Sequence, residues 1–495
     1  MDPLELRAVI QEVEGRWVGG SPPPEVCVAD VVTDSRTLSD SSLFVALEGE
    51  NGDGHAFVGE ARRRGAVASV VRHTQLSRLP ASEGPYIAVD EPLAALERMG
   101  VCNRRLANVS IVGVTGSVGK TSTKEFLATI LAADFRVQAA PKSFNNRLGV
   151  ALTLISAKRA TEVLVVELAT SGPGELAHLS RLVRPERVVV TEIGASHLAG
   201  LGDLDGVTEA KAEVLEGLAS DGGAFINRGI YGFGRFRERL AGRRLVSYGW
   251  ADTPGDGLDF SASRCRPVAM GPDTDLDATE SPYGYEFAVN ETETFVLPLP
   301  GRHNVLNALG AIAVARDFGM SWESIRGALT QCRLPPLRGQ IISAGEVFLF
   351  DDSYNANPAS MTAAIREWQA FGETVSSTGR QASAGGAVAV LGDMLELGSG
   401  AQTLHEEVGR QLAAGSVRLL VTVGNESEWI RSAYRQKGGG GLTAHFSTAD
   451  DATEFLRDAL IPGDRVLFKG SRRIGLDRVA AALRRSLSAA VAAKE

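Results

Sequence analysis

Short apolar runs separated by polar, glycine-rich segments recur along the whole chain. In residues 1–107 they predict strands of a small α/β domain, namely Val26–Val32, Leu43–Leu47, Ala66–Val71 and Tyr86–Val89. From residue 108 onward the runs alternate with helix-like segments, and the predicted strands are Val109–Val114, Val163–Leu168, Arg187–Thr191 and Ala224–Asn227. Such alternation is typical of βαβ units with a mainly parallel sheet.

A third unit begins after Leu334–Pro336, because prolines fix the chain and interrupt helices. Its predicted strands are Val347–Phe350, Ala387–Leu391, Leu419–Val423 and Arg465–Phe468, and the periodicity of Leu476–Ala493 predicts a final helix. Polar composition predicts a surface excursion at Ala251–Gly284 and an exposed loop at Thr374–Gly386. The pattern predicts an α/β protein of three domains, residues 1–107, 108–335 and 336–495.

Composition and charge narrow the functional classes. The 495 residues carry a formal net charge of −9 and no basic run, which argues against a nucleic-acid-binding role. No apolar run reaches about 18 residues, so no membrane-spanning helix is expected. The four cysteines have neither metal-ligand spacing nor the density of a disulfide framework. The N-terminal segment lacks an apolar signal core, and we expect a cytoplasmic enzyme.

The segment Val112–Ser122, VGVTGSVGKTS, joins an apolar strand to a glycine-rich turn and a helix. The glycines let the backbone approach a phosphate, and the N–H groups that begin the helix favour an anion. Lys120 is expected to contact the β- and γ-phosphates, and Thr121 to hold Mg²⁺. A chance glycine-rich turn is the alternative, since Val114 stands where the generic motif has glycine. The residues predicted to bind the triphosphate are Gly116, Ser117, Val118, Gly119, Lys120, Thr121 and Ser122.

Two further strands of the central unit lead into residues that suit a metal ion. Glu167 lies at the end of one strand, and His197 follows another. Ligands of open α/β sheets lie at the carboxyl ends of strands, and Mg²⁺ prefers oxygen ligands, so Thr121 and Glu167 suit it directly. Taken alone, His197 is more typical of a structural histidine, and Glu167 of a helix cap. Because both residues follow strands in the same predicted domain as the phosphate loop, a metal site is favoured.

Two other segments are candidates for the same site. Lys211 lies in Glu209–Glu216, which is predicted to be a helix entering the site; the alternative is a solvated lysine among acidic neighbours. Asp351–Pro358 follows an apolar strand and precedes a helix that begins with proline. Polar residues in that position are typical of a ligand-facing loop, although a capped helix start explains them equally.

Longer motifs in all three predicted domains resemble those of the Mur ligases. The motifs are Asp34–Leu47, Asp53–Phe57, Val112–Phe126, Ser143–Leu154, Pro173–Leu198, Gly301–Ala311, Asp351–Met361 and Val390–Gly398. The resemblance implies a small N-terminal substrate-binding domain, a central phosphate-loop ATPase domain and a Rossmann-like C-terminal domain. Within the family, the motifs around Asn145, Asp352 and Met394 resemble the branch that adds D-alanyl-D-alanine.

The resemblance implies an ATP-dependent amide ligase that makes a peptidoglycan precursor. Its small-molecule substrates would be UDP-N-acetylmuramoyl-tripeptide and D-alanyl-D-alanine, joined through an acyl phosphate by a monomeric enzyme. Two Mg²⁺ ions are implied, one held by Thr121 and Glu167 and the other near His197 and Lys211. In the family this lysine is commonly carbamylated. Lys120, His197 and Lys211 are therefore the expected catalytic residues.

Further roles are carried over from the family by position. Asn304 and Asn307 match residues near the adenine, and Arg338 and Asp352 match residues that reach the nucleotide when the domains close. Ser35 and Arg36 match family residues that bind the uridine diphosphate of the peptide substrate, and Asn145 and Asn146 match residues that face its muramoyl peptide.

The chain departs from the family pattern near the proposed metal site. Glu192 replaces the usual asparagine and is expected to alter metal affinity or repel phosphate, and Ala169 replaces a glycine. Two alternatives stay open. One is a Mur ligase that adds the third amino acid, although such chains are expected to carry Thr-Thr-Pro where this one has Ser143–Asn146. The other is a non-catalytic ATP-binding module.

Overall fold

The computed structural model describes residues 1–22, 25–49, 52–253, 257–270, 281, 283–377 and 385–492. Within these ranges the strands form a five-stranded, a nine-stranded and a six-stranded sheet, which follow one another along the chain, and two short two-stranded pairs. Buried aliphatic residues cover both faces of the two larger sheets. The predicted α/β class with parallel sheets is confirmed.

The N-terminal region is a small sheet flanked by helices. Its strands are β1 Leu4–Glu5, β2 Arg16–Val18, β3 Cys27–Val28, β4 Asp30–Val32, β5 Ser42–Val45, β6 Glu48–Gly49, β7 Gly52–Asp53, β8 Ala68–Arg72 and β9 Tyr86–Val89, and its helices are α1 Leu6–Glu12, α2 Val58–Arg63 and α3 Pro92–Ala107. The five-stranded sheet has the order β2-β9-β8-β5-β4, in which β4, β5, β8 and β9 are parallel. The predicted strand Tyr86–Val89 has the bounds of β9.

The central region contains the largest sheet. Its strands are β10 Ser110–Thr115, β11 Val137–Ala139, β12 Val163–Glu167, β13 Arg187–Val190, β14 Gly223–Asn227, β15 Arg244–Trp250, β16 Phe260–Ala269, β17 Tyr283–Val289 and β18 Glu293–Leu297. Its helices are α4 Lys120–Leu131, α5 Arg147–Ser156, α6 Glu175–Val183, α7 Leu198–Leu201, α8 Leu204–Ala212, α9 Phe233–Leu240, α10 Arg302–Asp317 and α11 Trp322–Leu329. The strand order is β11-β12-β10-β13-β14-β15-β16-β17-β18.

Two kinds of strand pairing meet in this sheet. The strands from β11 to β16 pair in parallel, whereas β16, β17 and β18 pair in antiparallel fashion. The predicted excursion at Ala251–Gly284 therefore contains β16 and the start of β17, which extend the sheet as a hairpin. Residues 254–256, 271–280 and 282 of that segment lie outside the described residues.

The C-terminal region forms a second mainly parallel sheet. Its strands are β19 Gln340–Ala344, β20 Val347–Asp351, β21 Ala387–Gly392, β22 Leu419–Val423, β23 Leu442–Phe446 and β24 Arg465–Lys469, and its helices are α12 Pro358–Ser377, α13 Ala401–Ala413, α14 Glu428–Gln436, α15 Ala449–Ala459 and α16 Leu476–Ala492. The strand order is β19-β20-β24-β21-β22-β23, with only β19 antiparallel to its neighbour. The loop predicted at Thr374–Gly386 is wrong at its start, because α12 continues through Ser377; residues 378–384 lie outside the described residues.

The N-terminal and central regions share one packing interface. Helix α3 packs against α5, and buried residues of both helices belong to the same apolar cluster. The buried Asn103 amide donates hydrogen bonds to three backbone carbonyls at the end of α5, those of Leu154, Ile155 and Ala157. This anchor fixes α5, whose N-terminus follows the Ser143–Asn146 segment. No helix in the described part of the chain is both long and apolar enough to cross a membrane.

Candidate active site

The phosphate loop connects β10 to α4, and two of its glycines are required by their conformation. Gly116 has φ +146° and Gly119 has φ +86°, backbone angles that residues with a side chain rarely adopt. A Cβ at Gly116 would lie 2.1 Å from Thr191 Oγ1 and 3.0 Å from the Glu192 carbonyl. The backbone therefore passes where only glycine fits, and the N–H groups at the start of α4 stay available for an anion.

Lys120 is held by the loop itself. Its Nζ donates hydrogen bonds to the carbonyls of Gly116, at 2.7 Å, and Ser117, at 3.4 Å. Burial lowers the pKa of Lys120, while the nearby Glu167 carboxylate raises it. The Lys120 ammonium is thus positioned within the phosphate loop, beside the anion site.

Glu167, at the carboxyl end of β12, is the buried centre of a polar cluster. The Thr121 hydroxyl donates to Glu167 Oε2 at 2.9 Å, and the Asn145 amide donates to Oε1 at 2.7 Å. Only 1% of Glu167 is exposed. These oxygen atoms lie beside a phosphate site, and no lysine or arginine of the described residues is hydrogen-bonded to the carboxylate. They fit the hard ligand set that Mg²⁺ prefers.

His197 and Lys211 lie near the same site but differ in their contacts. His197 has φ +52°, and its Nδ1 lies 2.6 Å from Glu396 Oε2 of the C-terminal region. Lys211 is 1% exposed in α8, and its Nζ has no hydrogen bond or ion pair among the described residues. Burial lowers the pKa of Lys211 well below its usual value, and the Lys120 charge lowers it further. A neutral amine is therefore favoured there.

Glu192 is part of the phosphate loop's support. Its carbonyl accepts a hydrogen bond from Ser117 N at 2.6 Å, and its Oε1 accepts one from its neighbour Ile193 N at 3.1 Å. Burial raises the pKa of Glu192 to about 7. The expectation that this residue repels phosphate therefore holds only for its charged form, which is reached above neutral pH.

The C-terminal region closes the other side of the site. Arg338 Nη2 donates to Thr121 Oγ1 at 3.4 Å, and its guanidinium carbon lies 4.0 Å from the centre of the Tyr354 ring. Lys469, at the end of β24, is 2% exposed and bonds the Asp352 carboxylate at 2.6 Å. The two regions meet at the phosphate loop.

These groups line one cavity of about 620 Å³ between the central and C-terminal regions. The predicted site residues along its wall are Ser117, Val118, Gly119, Lys120, Thr121, Ser122, Asn145, Asn146, Glu167, His197, Asn307, Arg338 and Asp352. The predicted site residues outside the wall are Gly116, Lys211, Asn304, Ser35 and Arg36.

Three of the residues outside the wall, Asn304, Ser35 and Arg36, have other contacts. Asn304 is buried, donates to the Pro300 carbonyl and accepts from the Asn307 amide. In the N-terminal region, the Ser35 hydroxyl donates to Glu60 and the exposed Arg36 pairs with Asp34. Asn304 therefore supports Asn307, whereas the structure does not bring Ser35 and Arg36 into this cavity.

Several cavity residues were missed from the sequence. They include Glu175, Tyr248, His303, Glu396 and Lys469. Lys469 follows the rule that ligands lie beyond the carboxyl ends of parallel strands, so the strand Arg465–Phe468 carried a usable signal. No local sequence pattern indicated the contact of Glu396 with His197, because the two residues are 199 positions apart in the sequence.

Comparisons with known proteins agree with this architecture. Three family models match in chain order: "Mur ligase family, catalytic domain" at 28–100, "Mur ligase middle domain" at 114–315 and "Mur ligase, glutamate ligase domain" at 337–472. The UDP-N-acetylmuramoyl-tripeptide–D-alanyl-D-alanine ligase of Bacillus subtilis is 31% identical, with 92% of this chain and 93% of the relative covered. The same ligase of Escherichia coli is 32% identical, with coverage of 93% and 94%.

A solved structure supports the same conclusion. The crystal structure of MurF from Acinetobacter baumannii superposes with a TM-score of 0.81 at 27% identity, covering 98% of this chain and 99% of that one. The likeness extends over all three sheets, and the predicted resemblance is confirmed. By its family models and by relatives that match almost its whole length, this chain belongs to the Mur ligase family.

Proposed function

We propose that this protein is the ATP-dependent ligase that joins D-alanyl-D-alanine to UDP-N-acetylmuramoyl-tripeptide, giving the pentapeptide precursor of peptidoglycan. One observation carries the proposal: a phosphate loop, a buried carboxylate cluster and the cations of a second domain share a single cavity. Curated relatives of almost the same length carry the name of this ligase. Ligation requires the alignment of three substrates, and a cavity between domains supplies it.

The reaction proceeds in two substitutions. The terminal carboxylate oxygen of the tripeptide attacks the γ-phosphorus of ATP, ADP leaves, and an acyl phosphate results. The neutral amine of D-alanyl-D-alanine then attacks the acyl carbon, the C–O bond to phosphate breaks, and the nitrogen loses a proton. Lys120 and the N–H groups at the start of α4 stabilise the charge on the transferred phosphoryl group.

Thr121 and Glu167 would hold one Mg²⁺, since both present oxygen atoms beside the anion site. Bound there, the ion supplies positive charge to the phosphate oxygens. Asn145 holds the other oxygen of Glu167 and so keeps the carboxylate oriented toward Thr121. His197 and Lys211 would lie near a second ion.

Lys211 is suited to carbamylation. A neutral amine attacks CO₂, an N–C bond forms, and one proton is lost, which leaves a carbamate with two ligand oxygens. The burial of Lys211 and the proximity of Lys120 favour the neutral amine. A carbamate would turn this buried neutral amine into an anion that suits a cation site.

The two long substrates occupy different regions. Asn307, supported by Asn304, would contact adenine, and Arg338 and Asp352 would reach the nucleotide from the C-terminal side. Asn145 and Asn146 would face the muramoyl peptide. Ser35 and Arg36 would bind uridine diphosphate, and their position off the wall of the ATP cavity suits a substrate whose nucleotide lies apart from its reacting carboxylate.

A ligation assay tests the proposal. Purified protein with ATP, Mg²⁺ and a tripeptide ending in diaminopimelate or lysine is expected to release phosphate and form pentapeptide only when D-alanyl-D-alanine is present. Ligation of a single amino acid to the UDP-muramoyl-dipeptide instead would assign the protein to the amino-acid-adding branch. Binding of ATP without phosphate release for any of these substrates would identify a non-catalytic module.

A further inference from the structure

The wall of the cavity contributed by the C-terminal region ends in two consecutive arginines. Arg472 and Arg473 follow β24 and lie in a short 3₁₀ turn, Arg472–Ile474. Both line the cavity, and both are exposed. The turn is fixed at one end by the buried Lys469, which bonds the Asp352 carboxylate and the Asn355 carbonyl. The backbone of Arg472 and Arg473 is thus held at a defined place on the wall.

The lysines and arginines of the cavity wall differ in whether they already have a partner. The partnered ones are Lys120 with the Gly116 carbonyl, Arg338 with Thr121, Lys469 with Asp352 and Arg472 with Asp477. Arg473 has no hydrogen bond or ion pair with any residue that the structure describes. It therefore presents an unneutralised guanidinium to the cavity.

The incoming dipeptide would bring a further carboxylate into a cavity that already contains several. Carboxylates of Glu167, Glu175, Glu192, Glu396 and Asp352 line the same cavity. A carboxylate that enters with the attacking amine exchanges water for the cavity wall, and it needs a positive partner that another group does not already neutralise. Lys120 and Arg338 lie at the phosphate loop, where the triphosphate would use them.

We infer that Arg473 binds the C-terminal carboxylate of the incoming dipeptide, an inference that rests on the proposed function. In the ligation, the dipeptide directs its amine toward the acyl phosphate, and its carboxylate lies about 7 Å away at the other end of two residues. A guanidinium binds a carboxylate through two parallel N–H bonds, which fixes direction as well as position. Arg473 thus selects a dipeptide with a free terminus and aligns its amine.

Steady-state kinetics with two amines test the inference. The probes are D-alanyl-D-alanine and D-alanyl-D-alaninamide, which keeps the amine and both chiral centres but lacks the carboxylate. Arg473→Ala is expected to raise KM for the dipeptide about 10- to 100-fold, as for loss of a charge-assisted hydrogen bond. The same change is expected to leave KM for ATP, KM for the tripeptide and KM for the amide within about twofold, with partial recovery in Arg473→Lys.

Arg478→Ala is the matched control, since Arg478 is also exposed, lies nearby in α16 and does not line the cavity. It is expected to leave all KM values unchanged. A normal KM for the dipeptide in Arg473→Ala, or an equal rise for the dipeptide and the amide, would overturn the inference while the proposed function stands. Failure of the unmodified protein to ligate D-alanyl-D-alanine would overturn both.

Discussion

The two walls of the ATP cavity differ in how their polar groups are held. In the central region, Thr121 and Asn145 donate to Glu167 and Lys120 donates to its own loop, so the cluster is complete within one domain. The C-terminal region has the internal pair Lys469–Asp352, but two of its wall residues make contacts that cross to the central region, Arg338 with Thr121 and Glu396 with His197. A preassembled wall is suited to phosphoryl transfer, whereas a wall that depends on domain contact is suited to choosing and enclosing the amine.

The largest expected effect is that of Lys120→Ala in the preassembled wall. Ligation is expected to fall by about 10²-fold or more, because the cation that stabilises the γ-phosphate is lost. Lys158→Ala, which changes an exposed lysine outside the cavity, is the control and should ligate normally. Near-normal turnover in purified, folded Lys120→Ala would show that this residue takes no part in the chemistry and that the central wall does not carry phosphoryl transfer.

Lys211→Ala tests whether a buried carbamate completes the same wall. Activity is expected to fall about 10- to 100-fold, the usual cost of losing a group that supports a metal site. Acetate or another small carboxylate should restore part of it in Lys211→Ala. Incorporation of ¹³CO₂ should give a carbamate signal in the unmodified protein that is absent from this variant. An unmodified ammonium at Lys211 in the active, Mg²⁺-bound enzyme would contradict the prediction.

Glu396→Ala probes the wall that depends on domain contact. Its removal leaves His197 Nδ1 without its partner across the cavity, and kcat/KM for ligation is expected to fall about 10-fold. ATP affinity should change little, because Lys120, Thr121 and Glu167 are held within the central region. Glu407→Ala removes an exposed carboxylate outside the cavity and serves as the control. An equal loss of ATP affinity in Glu396→Ala would show that the two walls are not independent.

The smallest effect is expected from Glu192→Gln and depends on pH. Since burial raises the pKa of Glu192 to about 7, the side chain is neutral at pH 6 and charged at pH 8.5. The charged form repels the triphosphate, so KM for ATP in the unmodified protein should rise with pH relative to Glu192→Gln, by a few-fold. The two proteins should agree at pH 6. A ratio of KM values that is constant from pH 6 to 8.5 would contradict this account.

Much of the fold could be predicted from the sequence because its parallel strands are continuous apolar runs. Tyr86–Val89 and Leu419–Val423 have the predicted bounds, as expected for strands buried on both faces. The strands of the antiparallel extension were harder to predict, since Phe260–Ala269 mixes arginines with apolar residues and has one exposed face. The helix around Lys211 begins earlier than predicted, at Leu204, where the Asp203 side chain caps its first turn.

The candidate site could be predicted only where local sequence determines it. Gly116, Lys120 and Thr121 belong to one turn. Glu167 could be predicted to lie beside them because ligands of open α/β sheets bind at the carboxyl ends of the strands. The pairing of Glu396 with His197 depends on how two domains meet, which no local pattern encodes. The pKa of Glu192 likewise depends on burial by the assembled fold, so its charge could not be derived from residue type.

In the proposed reaction, the preassembled wall transfers the γ-phosphoryl group to the tripeptide carboxylate. Oxygen labelling tests this transfer, with UDP-N-acetylmuramoyl-tripeptide that carries ¹⁸O in both oxygens of the terminal carboxylate. If an acyl phosphate forms and the amine displaces phosphate, each phosphate released during ligation carries one ¹⁸O, and the new amide keeps the other. Phosphate released without ¹⁸O, at the same rate as pentapeptide forms, would contradict this transfer.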